Sequence, residues 1–264
     1  MNLGIDGKRA LVTGSTAGIG LATARLLAVE NAEVVVNGRT EARVGTAVRA
    51  IQDAVPGANV RGIAADLGTA AGCAAVVEHA REIDILVNNV GIFEPKPFEQ
   101  IPDEDWLRFF ETNVLSGVRL ARRYLPGMRS RGWGRIVFVS SESALQIPAE
   151  MVHYGMTKTA QLAVARGLAE TTVGTGITVN SVLPGPTASE GVTTFVTQMA
   201  AARGTDPKTA EREFFETARP SSLLKRFATP DEVASMIVYV CSARASATNG
   251  AALRVDGGVV RSIV

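Results

Sequence analysis

Tyr154 and Lys158 stand four positions apart. They open a segment of helical spacing that continues through Ala160, Leu162, Ala163, Val164 and Leu168. Residues four apart share one face of a helix, so the phenol and the ammonium can lie side by side. A neighbouring ammonium favours phenolate and would bring the phenol below its ordinary value of about 10. That would make Tyr154 a proton donor and acceptor near neutrality. Upstream, the apolar run Ile136 to Val139 ends in Ser140 and Ser141. Ser141 thus falls at the C-terminal end of a strand, where open α/β sheets place their ligands. Glu142 beside it either reaches the same pocket or caps the connector that follows. A tyrosine and a lysine at this spacing are weak evidence alone; the elements around them must supply the rest.

The first such element is a glycine-rich turn. Arg9 to Thr13 reads as a short buried strand, and Leu21 to Leu27 has the pattern of a helix. Between them lie Gly14, Ser15, Thr16, Ala17, Gly18, Ile19 and Gly20. Glycines there allow a tight turn and close approach of backbone to a ligand, and the helix N-terminus offers free N–H groups to a phosphate. Glu33 to Asn37 reads as a second strand and runs into Gly38, Arg39 and Thr40. An acidic residue at this strand end binds ribose hydroxyls and favours NAD, whereas a nearby arginine takes a 2′-phosphate and favours NADP. The acid is absent and Arg39 is present, which favours NADP(H) over NAD(H). Ala17 adds no second basic group, and Arg39 read by itself is equally a solvated loop residue.

Further strands are expected at Val60 to Ala64, Ile83 to Val87, Ile136 to Ser140, Ile177 to Val182 and Ala251 to Val255. Asp66, just past the third, either accepts from an adenine amino group or caps the helix near Thr69. Asn88 and Asn89, past the fourth, either satisfy free backbone groups at the sheet edge or form an ordinary turn. Helices are expected over Thr40 to Ala54, Asp103 to Arg131 and Met151 to Thr172, and another opens at Thr229 and Pro230. Asn113 is a poor helix former unless its side chain has a task. The alternation of strands and helices implies a mainly parallel sheet with helices on both faces, an α/β doubly wound Rossmann fold of about seven strands. It reads as a single domain over residues 1–264. A lid over the substrate is expected at about 188–222, where Val192 to Ala202 and Thr205 to Ala218 have helical character, and where Phe195, Met199, Phe214 and Phe215 are available to wall an apolar pocket.

Composition narrows the function classes. The 264 residues carry a net charge of +1 with no basic block, which argues against nucleic acid as partner. No apolar run approaches the roughly 20 residues of a membrane span, and the N-terminus lacks a signal-peptide pattern, so a cytoplasmic protein with no membrane partner is expected. Cys73 and Cys241 are far apart and neither belongs to a CxxC pair, so no metal site or disulfide is expected. His153 and Tyr154, being adjacent, do not share a helix face, so His153 is read as a supporting or interface residue. His79 reads as solvated, and Trp106 and Trp133 as packing residues.

Taken together, these residues resemble the short-chain dehydrogenase/reductase family over nearly the whole chain. Thr13 to Gly20 corresponds to TGxxxGxG, and Asn88-Asn89-Val90-Gly91 to NNAG with valine in place of alanine. Asn113, Ser141, Tyr154 and Lys158 match the catalytic tetrad, and Pro184-Gly185 follows. Members resembling 3-oxoacyl-[acyl-carrier-protein] reductases carry this pattern. The resemblance implies hydride transfer between a nicotinamide cofactor and a carbonyl or secondary alcohol. It implies that Asp66 contacts the adenine, Leu67 belongs to the cofactor site, Asn89 lines the cofactor cleft, and Thr187 and Ser189 hold the carboxamide. Tyr154 would transfer the proton, and Ser141 would hold the substrate oxygen. Lys158 would tune Tyr154 and bind ribose hydroxyls, and Asn113 would hold a water linking Lys158 to solvent. It also implies a homo-oligomer, tetramer or dimer, built on the regions 103–131, 151–172 and 230–264. The competing class is a regulatory or scaffold protein that binds NAD(P) without catalysis; a broken tetrad would favour it, and the tetrad is intact.

Overall fold

The computed structural model describes residues 2–189, 192, 197, 200, 201 and 204–263. Seven strands form one sheet: β1 (Arg9–Val12), β2 (Glu33–Gly38), β3 (Val60–Ala64), β4 (Ile85–Asn88), β5 (Gly134–Val139), β6 (Ile177–Pro184) and β7 (Ala252–Val255). Their order is β3-β2-β1-β4-β5-β6-β7, and every pairing is parallel. The chain builds outward from β1 to β3, then returns to pair β4 with the other side of β1. The crevice for a ligand in such a sheet opens where the order reverses, beyond the carboxyl ends of β1 and β4.

Strand side chains alternate between faces, and the apolar sequence fills both. Ala10, Val12, Val34, Val36, Ile85 and Val87 pack toward helices α1 (Gly18–Val29), α2 (Glu41–Ala54) and α8 (Pro230–Cys241). Leu11, Val35, Leu86, Ile136 and Phe138 pack toward α3 (Ala70–His79), α5 (Ser116–Arg131) and α6 (Val152–Glu170). Two further helices are α4 (Asp103–Phe110) and α7 (Pro207–Thr217).

The helical stretch expected from Asp103 to Arg131 contains a π-helical turn, Glu111–Leu115, between α4 and α5. Such turns open the helix ladder and often mark functional positions. Asn113 sits inside this one. Strand β4 begins at Ile85, two residues later than the apolar run suggests, and extends to Asn88. Of the expected lid, much of Val192 to Ala202, with Phe195 and Met199, lies outside the described residues. Asp206 caps α7 by accepting from the Lys208 and Thr209 N–H groups at 3.0 and 3.2 Å.

Candidate active site

Among the described residues, four α-helices start with a side-chain cap. Thr40, Thr69, Asp206 and Thr229 each accept a backbone N–H of the helix that follows, and Thr229 forms a full capping box with Glu232. Helix α1 differs. Its N-cap is Ala17, which supplies no side-chain bond, and its first turn carries no acid. The N–H groups of this end therefore face a cavity of about 710 Å³, lined by Gly14, Gly18, Ile19 and Gly20 among others. Gly14 and Gly18 adopt φ of 59° and 55°, where a side chain is strained. A Cβ on Gly20 would lie 2.5 Å from Asn89 Nδ2. Bare backbone, an uncapped helix end and no nearby acid fit a pyrophosphate.

The other residues of the turn hold its shape. Ser15 is fully buried; its hydroxyl donates to the Val12 carbonyl at 2.7 Å and accepts from the Asn37 N–H at 3.0 Å. Thr16 packs its methyl against Gly38, where a Cβ would come within 2.4 Å. Asn89 Nδ2 donates to the Thr13 and Gly14 carbonyls, each at 3.0 Å, and its side chain faces the cavity. Asn88 behaves differently: it is buried, and its amide has no hydrogen-bond partner among the described residues.

At the far end of the cavity stand Ser141, Tyr154 and Lys158. β5 delivers Ser141 and α6 delivers the other two. Burial is the largest influence on Tyr154 and pushes the phenol above its ordinary value; a hydrogen bond with Ser141 pulls back, Glu142 pushes up, and Arg219 pulls down. Burial likewise pushes the Lys158 ammonium down to about 8. The expected lowering of Tyr154 by Lys158 is not what this geometry gives. The ammonium lies 5.6 Å from the phenol ring centroid and donates to the Val139 carbonyl at 3.0 Å and to Gln161 Oε1 at 3.3 Å. Desolvation penalises both charged forms at once.

Asn113 is 1 % exposed and does not line the cavity. Its amide donates to the Ile92 carbonyl and to Thr157 Oγ1, each at 3.0 Å, and its Oδ1 accepts from the Ile92 N–H at 2.8 Å. These bonds fix the loop after β4 against α6. The Asn113 carbonyl, freed by the π turn, accepts from Gln161 Nε2 at 2.6 Å.

A family model described as enoyl-(acyl carrier protein) reductase matches residues 14–260. The chain belongs to the short-chain dehydrogenase/reductase family. It is an NAD(P)-dependent oxidoreductase of the hydride-transferring kind. This short-chain dehydrogenase/reductase is 46 % identical over 263 residues to an uncharacterised oxidoreductase of Bacillus subtilis, YvaG, with all of both chains covered. It is 35 % identical to a D-beta-hydroxybutyrate dehydrogenase of Cupriavidus necator, over 97 % of this chain and 99 % of that one. Among solved structures it matches L-sorbose reductase from Gluconobacter frateurii, complexed with NADPH and L-sorbose, at a TM-score of 0.95 and 35 % identity, with all of both chains covered.

The remaining expected residues of this short-chain dehydrogenase/reductase divide into two groups. Pro184, Gly185, Thr187 and Ser189 line the cavity beyond β6. The Thr187 hydroxyl donates to the Gly185 carbonyl at 2.9 Å. Arg39, Asp66 and Leu67 do not line it. Arg39 is exposed just past β2. Asp66 Oδ1 accepts from the Gly68 N–H at 3.0 Å, while the cap of α3 is Thr69. The Leu67 side chain is 1 % exposed and packs in the core with Ile63 and Cys73, leaving only its backbone for a ligand. His153 is fully buried, its ring 4.1 Å from that of Phe109, and burial pushes its pKa down. Cys73 and Cys241 are both free and buried. No helix among the described residues is long and apolar enough to cross a membrane.

Three residues of the site escaped the sequence reading. Asn37, where an acid was sought, is 1 % exposed and knits the sheet edge: its Oδ1 accepts from the Gly14 N–H at 3.3 Å and its Nδ2 donates to the Ile63 and Ala65 carbonyls at 3.2 Å. Gln161 had a usable signal, since it lies three residues after Lys158 on the same helix face. Arg219, distant in sequence, had none; it joins the cavity wall from beyond α7 and pairs with Glu142.

Proposed function

We propose that this enzyme interconverts a secondary alcohol and a carbonyl compound with NADP(H) in preference to NAD(H), using Tyr154 as general acid and base. The observation that carries the reading is the single cavity that joins the uncapped N-terminus of α1 to Ser141, Tyr154 and Lys158. The Gly14–Gly20 turn would hold the pyrophosphate, with Ser15 and Thr16 keeping its shape. Arg39 would meet the 2′-phosphate. Asp66 and the Leu67 backbone would flank the adenine, and Thr187 and Ser189, beside Pro184 and Gly185, would hold the carboxamide. When bound, the cofactor supplies or accepts a hydride at nicotinamide C4.

The protein's part is orientation and proton movement. Tyr154 gives its phenol proton to the oxygen of a carbonyl substrate, or takes the proton of an alcohol. Ser141 holds that oxygen in place. Lys158 would bind the ribose hydroxyls, and the Asn113 carbonyl supports it through Gln161. The apolar wall at the substrate end, with Phe93, Val192, Phe214 and Phe227, excludes water from this step. The single domain carries its lid at about 188–222, and a cytoplasmic homo-oligomer built on the regions 103–131, 151–172 and 230–264 completes the reading.

The test is a panel of neutral and carboxylate-bearing ketones, L-sorbose, ethyl 3-oxobutanoate and 3-oxobutanoate among them, assayed by NADPH and NADH oxidation alongside cofactor binding by fluorescence. Turnover of at least one ketone with NADPH above NADH supports the reading. Tight cofactor binding without turnover across the panel overturns it in favour of a regulator.

A further inference from the structure

Three polar groups at the substrate end have no part in the scheme above: Glu142, Glu150 and Arg219. Glu142 is 4 % exposed. A carboxylate so buried persists only where partners replace its lost water. One partner is Arg219, whose Nε donates to Oε1 at 3.1 Å. Arg219 comes from the other wall, just past α7. It also donates to the Ala218 carbonyl at 2.8 Å and lies 3.6 Å from Glu150. It thereby anchors one oxygen of the carboxylate and leaves the other beside Ser141. The Ser141 hydroxyl donates to that second oxygen, Oε2, at 2.5 Å. The 3-10 turn Glu142–Ala144 is capped by Ser141, which accepts the Ser143 N–H at 3.1 Å, so the turn makes no use of the Glu142 carboxylate.

The Ser141 hydroxyl has one hydrogen. Without substrate, that hydrogen serves Glu142. To hold a substrate oxygen, the hydroxyl must turn toward it, and Glu142 Oε2 then loses its donor. A buried carboxylate oxygen without a donor is unfavourable. Among the described residues, the two cations of the cavity are engaged elsewhere: Lys158 on Val139 and Gln161, Arg219 on Oε1 and Ala218. With water excluded by the apolar wall, the substrate is the remaining source of a donor. Oε2 lies one hydrogen bond from Ser141 Oγ, and the reacting oxygen would lie one hydrogen bond from it on the other side. A hydroxyl on the carbon next to the reacting one is within reach of Oε2 from there. We propose that Glu142, anchored by Arg219, determines substrate specificity: it takes the hydrogen of that neighbouring hydroxyl, and the Ser141 hydrogen is released to the reacting oxygen. The substrate class is then a hydroxy ketone and the corresponding vicinal diol. The proposal rests on the oxidoreductase reading and on the Ser141 and Tyr154 roles given above, and deepens them. The hydrogens balance in both directions. In reduction, Tyr154 and Ser141 each donate to the ketone oxygen, and the substrate hydroxyl donates to Glu142. In oxidation, the reacting hydroxyl gives its hydrogen to Tyr154 and accepts from Ser141, and its neighbour donates to Glu142.

The test uses two ketones of one carbon skeleton, 3-hydroxybutan-2-one and butan-2-one, with NADPH and the full chain. It reads the ratio of their kcat/KM values; should butan-2-one be too slow to measure, the best hydroxyl-free ketone of the panel takes its place. Comparing the ratio between variants removes the intrinsic reactivity of each ketone. The unaltered chain should favour 3-hydroxybutan-2-one. Glu142→Ala should lower the ratio by about 10-fold or more, the scale of a hydrogen bond to a charged acceptor, while NADPH affinity stays within about twofold. Glu142→Gln keeps the shape and loses the charge. It should lower the ratio by about threefold, and it carries the test if the alanine variant does not fold. A ratio unchanged in the variants overturns the proposal. So does an equal loss for both ketones, which is what a distorted pocket would give. Turnover of other ketones but not of 3-hydroxybutan-2-one by the unaltered chain also overturns it, and leaves the oxidoreductase reading standing. Absence of turnover of every ketone overturns that reading, and this proposal with it.

Discussion

Lys158 reaches Asn113 through the amide of Gln161. The ammonium donates to Gln161 Oε1 at 3.3 Å, and Gln161 Nε2 donates to the Asn113 carbonyl at 2.6 Å. The resemblance implies that Asn113 holds a water linking Lys158 to solvent; Gln161 is a separate, direct side-chain link between the two residues. Gln161 is 1 % exposed, so removing its amide takes the donor from the buried Asn113 carbonyl and leaves the buried ammonium to the Val139 carbonyl. Gln161→Leu should therefore destabilise the fold by about 1–3 kcal/mol in urea denaturation and lower turnover. Unchanged stability would mean that the amide carries no part of the link.

The same burial sets a pH dependence for Lys158. Its folded value of about 8 lies below its ordinary 10.5. Between those values the unfolded chain binds more protons than the folded one, so stability rises with pH across that window. Below about pH 8 the full cost of burying the charge is present, on the order of 3 kcal/mol. Other groups titrate in the same range, Cys241 among them, since burial pushes its thiol up to about 12. The clean measurement is therefore a difference. The stability of the unaltered chain minus that of Lys158→Met, from chemical denaturation, should increase from pH 8 toward pH 10.5. A flat difference would show that the ammonium is not desolvated.

The proposed preference for NADP(H) rests on Arg39. It is exposed at the end of β2, and Asn37, buried at that strand end, cannot serve as an acid toward ribose. A bidentate guanidinium contact to phosphate is worth about 1.5–3 kcal/mol. Arg39→Ala should weaken NADPH binding by about 10- to 100-fold and leave NADH binding within about twofold, read by fluorescence titration. Equal losses for both cofactors would place Arg39 outside the 2′-phosphate site.

Charge at the substrate end sets a further expectation. Glu142 and Glu150 share the cavity with Arg219 and Lys158, two charges of each sign. Glu142 is buried directly beside Ser141, so a substrate carboxylate held against Ser141 meets its repulsion first. Ethyl 3-oxobutanoate should be reduced with a kcat/KM about 10-fold or more above that of 3-oxobutanoate. A preference for the carboxylate would mean that Arg219 leaves Glu142 to bind substrate anions.

Much of this was legible in the sequence, because the signals were local. Largely apolar stretches of five or six residues mark all seven strands, and the threonines before α2, α3 and α8 mark their starts. The spacing of Tyr154 and Lys158, and the serine at a strand end, singled out three residues that line one cavity. What escaped was non-local or electrostatic. The closure of Arg219 onto Glu142 depends on how the segment after α7 folds back, which no spacing rule encodes. The direction of the Tyr154 shift depends on desolvation by walls contributed from several elements, and a helix-face argument sees only Lys158. Asparagine is a poor helix former, which singles out Asn113, but the π turn that frees its carbonyl leaves no mark in residue types.

The most direct measurement uses NADPH deuterated at nicotinamide C4 with the best ketone of the panel, for the unaltered chain and for Tyr154→Phe. The unaltered chain should place deuterium on the carbinol carbon of the product. Tyr154→Phe should bind NADPH within about twofold of the unaltered chain and lose at least about 100-fold in turnover, the loss expected when a general acid is removed. Near-native turnover by Tyr154→Phe, or product without label from deuterium at either face of C4, would contradict hydride transfer with Tyr154 as the proton donor.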